Sequence, residues 1–446
     1  MTILEEATRI ERLTPDDVVA LATDVGPAPM HVGAVLVLDG PVDRDRLTAR
    51  LVERLPAVPR LRQRLEPTPV LAGRPVWVDD DRFDVADHLV VASQRASDHR
   101  ALLDIAATSI CRPLDRDHPL WRITIVSVAD DRSVLVAVFH HAVADGIGGL
   151  AVLACLVDEA AAPPPDPTFP RPPPAHTELI RDAMRARLDT VTHPGRSLRR
   201  IGDALVQLRP SPGGAPQRSS FNCPTGAGRR LLTAEVPLAP LHAAAKRHGA
   251  TVNDALLTAV GGAVGALLAE RGERIDELVI SMPMSARTAT GGSSLGNQVG
   301  AVPVRVPLHG GLTERLVGVA GRTARARRTV RGSSTAILGP VFRLLARTGL
   351  FTWFVDRQRL VHTFVTNLRG PERPMALLGT TITQVHPVAT VAGNVTASFA
   401  ALSYAGTLGV TIIVDPAAVP DAEALREHLR RQLDDLCSIS QRTEQR

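Results

Sequence analysis

The chain reads as an α/β protein of two mixed-sheet domains, and three observations predict this. At 446 residues it is longer than a single hydrophobic core ordinarily organises. Residues 134–139 are an apolar, β-branched run of buried-strand length, and residues 147–160 behind them form an apolar helix pattern. A proline run at 162–174 then interrupts the chain, and strand and helix patterns alternate again beyond it. The division expected is a first domain at 1–161, a proline-rich connection with crossover helices at 162–217, and a second domain at 218–446.

Composition excludes several classes. With 44% hydrophobic and 22% charged residues the chain is globular, not disordered. Aromatic residues make up only 3%, which argues against a surface that stacks nucleic-acid bases. The net charge of +5 suits small anionic ligands and an anionic membrane surface equally well. Cys111, Cys155, Cys223 and Cys437 are scattered with no CxxC pair, which favours free thiols in a reducing, cytoplasmic setting. The opening residues are acidic and polar and lack a signal-type apolar stretch. Residues 255–269 are apolar but are interrupted by Thr258, Gly261, Gly262 and Gly265 and fall short of a bilayer span, so membrane contact is expected to be peripheral.

Taken in order, Thr14-Pro15-Asp16-Asp17 carries the signals of a helix start. Residues 30–41 read as a strand ending in a turn. Residues 42–65 have apolar positions at helical spacing as far as Leu55, where Pro56 and Pro59 break the pattern. Arg60 and Arg62 follow the break, ordinarily a solvated face. Residues 84–112 carry helical spacing. Pro119-Leu120-Trp121 leads into a strand at 122–128 that pairs with 134–139 across Asp130-Asp131, with Trp121 packed beneath.

The pair His140-His141 closes that second strand, and Asp145-Gly146 follows before the apolar helix. Two imidazoles and a carboxylate are thereby held at one rigid place. A neutral imidazole is the usual general base near neutral pH. A single histidine beside an apolar strand is usually a hydrogen-bonded core residue, and an Asp-Gly pair is usually a turn. The whole pattern, bounded by strand and helix, is what points to a site. A metal centre fits less well, because adjacent strand side chains point to opposite faces and no nearby cluster supplies further ligands.

Past the proline run, residues 177–207 have helical spacing with a break at His193-Pro194-Gly195, and 211–217 is a loop. Residues 230–236 read as a strand and 238–248 as a helix. A second helix opens at Thr251-Val252-Asn253-Asp254, ordinary N-cap chemistry, and its small residues allow close packing against a neighbour or a bound chain. Residues 278–308 give two strands around a Gly/Ser loop, and the basic run at 321–332 reads as a solvated face. Tyr404, the only tyrosine, reads as a core residue needing a partner for its hydroxyl. Residues 422–439 form an amphipathic closing helix.

His140, His141, Asp145 and Gly146 spell HHxxxDG, and on it the chain resembles the CoA-dependent acyltransferase superfamily, which includes chloramphenicol acetyltransferase and peptide-synthetase condensation domains. Four further features stand in family order over nearly the whole chain: Pro119-Leu120-Trp121, Asn253-Asp254, Pro283 and Arg287 before Gly296-Asn297, and Asn367 before Gly370-Pro371. With them the chain most resembles the bacterial wax ester synthase/diacylglycerol O-acyltransferase family. Met30-His31 before the first strand is another family feature, though a packed side chain is the plainer reading of His31.

The resemblance implies two chloramphenicol-acetyltransferase-like domains, each a mixed β-sheet with helices, and an active-site tunnel at their interface. It implies transfer of a fatty acyl group from acyl-CoA, as co-substrate, to a long-chain alcohol or diacylglycerol. His141 is the implied general base, His140 shapes the loop, and Asn253 is a polar group near the reacting carbonyl. Arg62 is the implied partner of Asp145, orienting the loop, with Gly146, Trp121 and Asp254 in support. Arg287, Asn297 and Asn367 fall on the substrate side, Arg287 against a CoA phosphate or a structural carboxylate. No cofactor or metal is implied. The same motifs would serve a specialised-metabolite alcohol or amine acylated from a short-chain acyl-CoA or an acyl carrier protein, and a non-catalytic acyl-binding module is a further alternative. A membrane or lipid-droplet surface is a partner the resemblance leaves open.

Overall fold

The structure, a computed structural model, describes residues 10–27, 29–129, 131–143, 146–164, 166–192, 214–285, 299–329, 345 and 348–442. The first half runs β1 (Glu11–Arg12), α1 (Pro15–Thr23), β2 (His31–Leu38), α2 (Arg44–Arg54), β3 (Gln63–Glu66), β4 (Val76–Asp79), β5 (Leu89–Val91) and α3 (His99–Cys111). It continues through β6 (Trp121–Ser127), β7 (Ser133–His140), α4 (Gly146–Leu156) and α5 (His176–Thr192). The second half opens with β8 (Arg230–Pro237), α6 (Leu238–Arg247), α7 (Val252–Glu270), β9 (Glu277–Ser285), β10 (Val299–Pro307) and α8 (Leu312–Thr329). It closes with α9 (Leu350–Val355), β11 (Thr363–Arg369), β12 (Ala376–Leu377), β13 (Thr380–Val388), β14 (Ala397–Tyr404), β15 (Thr407–Val414) and α10 (Ala422–Arg442).

Two six-stranded sheets carry the fold. The first has the order β12-β13-β2-β7-β6-β5 and the second β10-β9-β11-β14-β15-β8. Both mix parallel and antiparallel pairs: β5 lies parallel to β6 in the first, and β11 parallel to β14 in the second. Strand β7 lies between β2 and β6, so all its residues are buried and its sequence is a continuous apolar run, not an alternation.

Sheet membership cuts across the division expected at 218. Strands β12 and β13 come from the second half yet complete the first sheet, β13 pairing antiparallel with β2 through Val385 opposite Leu36. The halves also share apolar contacts: α3, β2 and β7 pack with Leu231, Ala400 and Ile413 of the second sheet.

Three expectations change. Within 84–112 only His99–Cys111 is a regular α-helix. Asp98 caps it by accepting from the Ala101 N–H at 2.8 Å, and upstream Val90 and Val91 extend the sheet edge beside β6. The proline-rich connection, expected only as a link between the domains, is tied down on the first, where Arg171 grips Asp79 at 2.9 Å and Asp166 holds Arg62 at 2.7 Å. Helix α7 is longer than the apolar stretch read from the sequence. Among the described residues it is the one helix long and apolar enough to cross a bilayer. It is nevertheless packed among α6, α8, α10 and β10, with Gly261 against Val306 and Gly262 against Gln432 where a Cβ would collide. Those glycines serve helix packing.

Candidate active site

The central strand β7 ends in His140, whose backbone is already committed. The His140 N–H donates to the Leu120 carbonyl at 3.0 Å, and the His141 N–H donates to the Met30 carbonyl at 2.9 Å. The His140 ring is engaged on both sides. Its Nδ1 lies 3.0 Å from the Ala142 N–H, which can only donate, so Nδ1 holds the lone pair. The ring proton therefore sits on Nε2, which faces Asp24 Oδ2 at 3.3 Å.

Asp24 caps the end of α1 and gathers three donors. Its Oδ1 accepts from the Met30 N–H at 2.8 Å, and its Oδ2 accepts from both His140 and Arg116, the latter at 2.8 Å. Burial alone would raise its pKa, but the hydrogen bonds from His140, Met30 and Arg116 outweigh it and hold the carboxyl well below the usual range. His31 stands opposite His140 in the β2–β7 register, the rings edge to face at 6.1 Å. Burial, outweighing the bond from Nδ1 to the Ile110 carbonyl at 2.8 Å, pushes His31 down to about 4. It is neutral near pH 7.

Trp121 is buried and donates its indole N–H to the Leu61 carbonyl at 2.8 Å, while its ring stacks on His88 at 4.3 Å. It thereby pins the turn that carries Arg62. Arg62 lies 4.1 Å over the ring of Phe169 and pairs with Asp166, so its carboxylate partner among the described residues is in the proline-rich connection. Asp145, the partner expected for it, lies outside the described residues, as do Arg287, Asn297 and the break at 193–195. Gly146 is the first residue of α4.

Asn253 and Asp254 begin α7 on the second core. Asp254 is buried, closes a capping box with Thr251, and accepts from the Thr323 hydroxyl at 2.6 Å. This is the helix-start chemistry read from the sequence. The Asn253 amide donates to Met282 Sδ at 2.8 Å. Asn367 lies on β11 opposite Ala401, and α4 rests against the same strand, so the helix behind the histidines meets the strand carrying Asn367. At Gly370 a Cβ would come within 2.6 Å of the Ser403 carbonyl oxygen, which makes glycine necessary for the bond from its N–H to that oxygen. Tyr404 is a core residue as expected, its hydroxyl donating to the Ile382 carbonyl at 2.7 Å and accepting from the Met375 N–H at 2.8 Å. Among the described residues no three His, Cys, Asp or Glu side chains gather as a metal would need.

Sequence reasoning missed Asp24, Met30 and Ala142 as partners of the histidines. The only local signal was the helix end followed by Gly26 and Pro27, which marks a loop and says nothing of what it touches.

Residues 13–256 match the model of the wax ester synthase/diacylglycerol acyltransferase catalytic domain, and residues 295–437 match the corresponding C-terminal domain. The chain belongs to this acyltransferase family. It is 30% identical over 442 residues to a probable diacylglycerol O-acyltransferase of Mycobacterium tuberculosis, covering 93% of this chain and 92% of that one. A putative diacylglycerol O-acyltransferase of Mycobacterium bovis matches to the same extent. Among solved structures, the wax ester synthase/diacylglycerol acyltransferase of Marinobacter aquaeolei superposes with a TM-score of 0.66 at 20% identity, covering 96% of this chain and 99% of that one. A starter condensation domain of rhizomide synthetase, in complex with C8-CoA and Leu-SNAC, superposes with a TM-score of 0.63 at 16% identity, covering 98% and 96%. The two-sheet architecture is thus the one shared by these acyltransferases and condensation domains.

Proposed function

We propose that the protein transfers a fatty acyl group from acyl-CoA to the hydroxyl of a long-chain alcohol or a diacylglycerol, with His141 as general base. The observation that carries this reading is the state of the histidine pair. Both ring nitrogens of His140 are engaged, by Ala142 and Asp24, which supports a shaping role for His140 and the base role for the second histidine of the motif, His141. His141 takes the proton of the acceptor hydroxyl as its oxygen attacks the thioester carbonyl. The tetrahedral intermediate then collapses to ester, and the CoA thiolate leaves with that proton. Asn253, at the start of α7, is the proposed donor to the developing oxyanion.

The test is CoA release from palmitoyl-CoA with hexadecanol or diacylglycerol, beside His141→Ala. Release that depends on the acceptor and collapses in the variant supports the reading. The likeness to a condensation domain bound to C8-CoA motivates one competing reading, a shorter or carrier-bound donor. Turnover with octanoyl-CoA but not palmitoyl-CoA would favour it.

A further inference from the structure

Asp24 stands 116 residues from His140 in sequence and belongs to none of the motifs, yet its carboxylate is built into the histidine pair. Its two oxygens do different things. Oδ2 takes the Nε2 proton of His140, which with the Ala142 N–H on Nδ1 leaves that ring one tautomer and one orientation. Oδ1 takes the Met30 N–H, and the carbonyl of Met30 takes the N–H of His141. A single carboxylate thus holds the first histidine by its side chain and the second by its main chain. The Asp24 side chain is only 12% exposed, and Arg116 covers it from the solvent side.

We propose that Asp24 is a positioning residue for acyl transfer, setting the His140 ring and the His141 backbone together. The inference rests on the acyl-transfer reading above for its kinetic consequence, but not for its structural one.

Asparagine is the informative substitution, because it keeps the volume and loses one acceptor. If its carbonyl oxygen stays on Met30, its NH2 faces His140 Nε2 and forces the ring proton onto Nδ1, against the Ala142 N–H. If the amide turns over, NH2 faces the Met30 N–H instead. Either way one arm of the device fails. Glutamate keeps both acceptor oxygens.

The experiment has two arms on the full chain. In steady-state assays with palmitoyl-CoA and hexadecanol, Asp24→Asn is expected to lower kcat by about 10- to 100-fold, as a small misplacement of a reacting group does. KM for both substrates should stay within about twofold, and Asp24→Glu should retain more kcat than Asp24→Asn. A kcat within twofold of wild type, or a change confined to KM, overturns the proposal. In the second arm, 15N-resolved imidazole spectra, with His140 assigned by its loss in His140→Gln, should show the Nε2–H tautomer in the wild-type protein and a changed ring in Asp24→Asn. An Nδ1–H tautomer in the wild type overturns the proposal even should Asp24→Asn fail to fold. A wild-type protein that turns over neither acceptor defeats the acyl-transfer reading instead, and the spectrum then decides Asp24 alone.

Discussion

Two polar stations sit at the ends of apolar elements in this molecule: His140-His141 at the end of β7, and Asn253-Asp254 at the start of α7. Both are conspicuous in the sequence, and their supports differ in kind. Asp254 is held mainly by Thr251, three residues before it, in a capping box that any helix start could form. His140 is held by Asp24 from the end of another helix. A local partner makes a station stable wherever the helix goes. A distant partner makes it depend on the assembled fold, and only an assembled fold can hold the His140 imidazole against another element with a fixed tautomer. The contrast is between a residue that begins a helix and one whose ring is fixed by a distant element.

The largest effect expected separates the two stations by chemistry. His141→Ala should reduce acyl transfer by about 10²- to 10⁴-fold, the range lost with a general base, without shifting the melting temperature appreciably. Asn253→Ala should cost about 10²-fold in kcat if its amide meets the oxyanion. Activity within twofold of wild type would reduce Asn253 to its contact with Met282 and leave the helix start purely structural.

Acid titration should sharpen the contrast next. His31, beside His140, has its pKa lowered by burial from 6.5 to about 4, and buried His386 on β13 is lowered to about 4 for the same reason. The unfolded chain binds these protons before the folded one, so their contribution is fully present above pH 6.5 and is lost as pH falls towards 4. The loss is up to about 3 kcal/mol for each. Asp24, with its carboxyl lowered, adds stability above the ordinary carboxylate value of 3.8 that is lost as pH falls through and below it. Chemical denaturation between pH 7 and 4 should therefore show a falling stability that flattens in His31→Gln and His386→Leu. An unchanged slope in both variants would refute it.

Asp254→Ala should cost about 2 kcal/mol, through the lost cap and the lost bond from the Thr323 hydroxyl, while the kcat of the folded fraction is kept. A kcat loss larger than the stability loss would make that end of α7 more than a cap. The smallest effect is expected for Arg62→Ala. It removes the pair with Asp166 and the stacking on Phe169, about 1–2 kcal/mol by denaturant titration.

Much of this was readable from the chain because it is written in contiguous residues. The β7 run, its hairpin with β6 and the capping box at Thr251 each depend on neighbours within a few positions. The helical pattern over 84–112 misled because spacing alone does not distinguish a helix from a short sheet-edge strand followed by a cap. The pairing of Arg62 with Asp166 was not readable in advance, because it arises only where the connection folds back and brings Phe169 against the guanidinium.

By itself, then, the sequence determined the two-sheet α/β class, the family motifs and the candidate site residues, since periodicity, capping and motif spacing are local properties. The tertiary structure decided what holds them. It placed β13 of the second half beside β2, and brought Asp24 to His140. Those contacts join residues far apart in sequence, where pairing is chosen by the packing of whole elements and no short pattern records it.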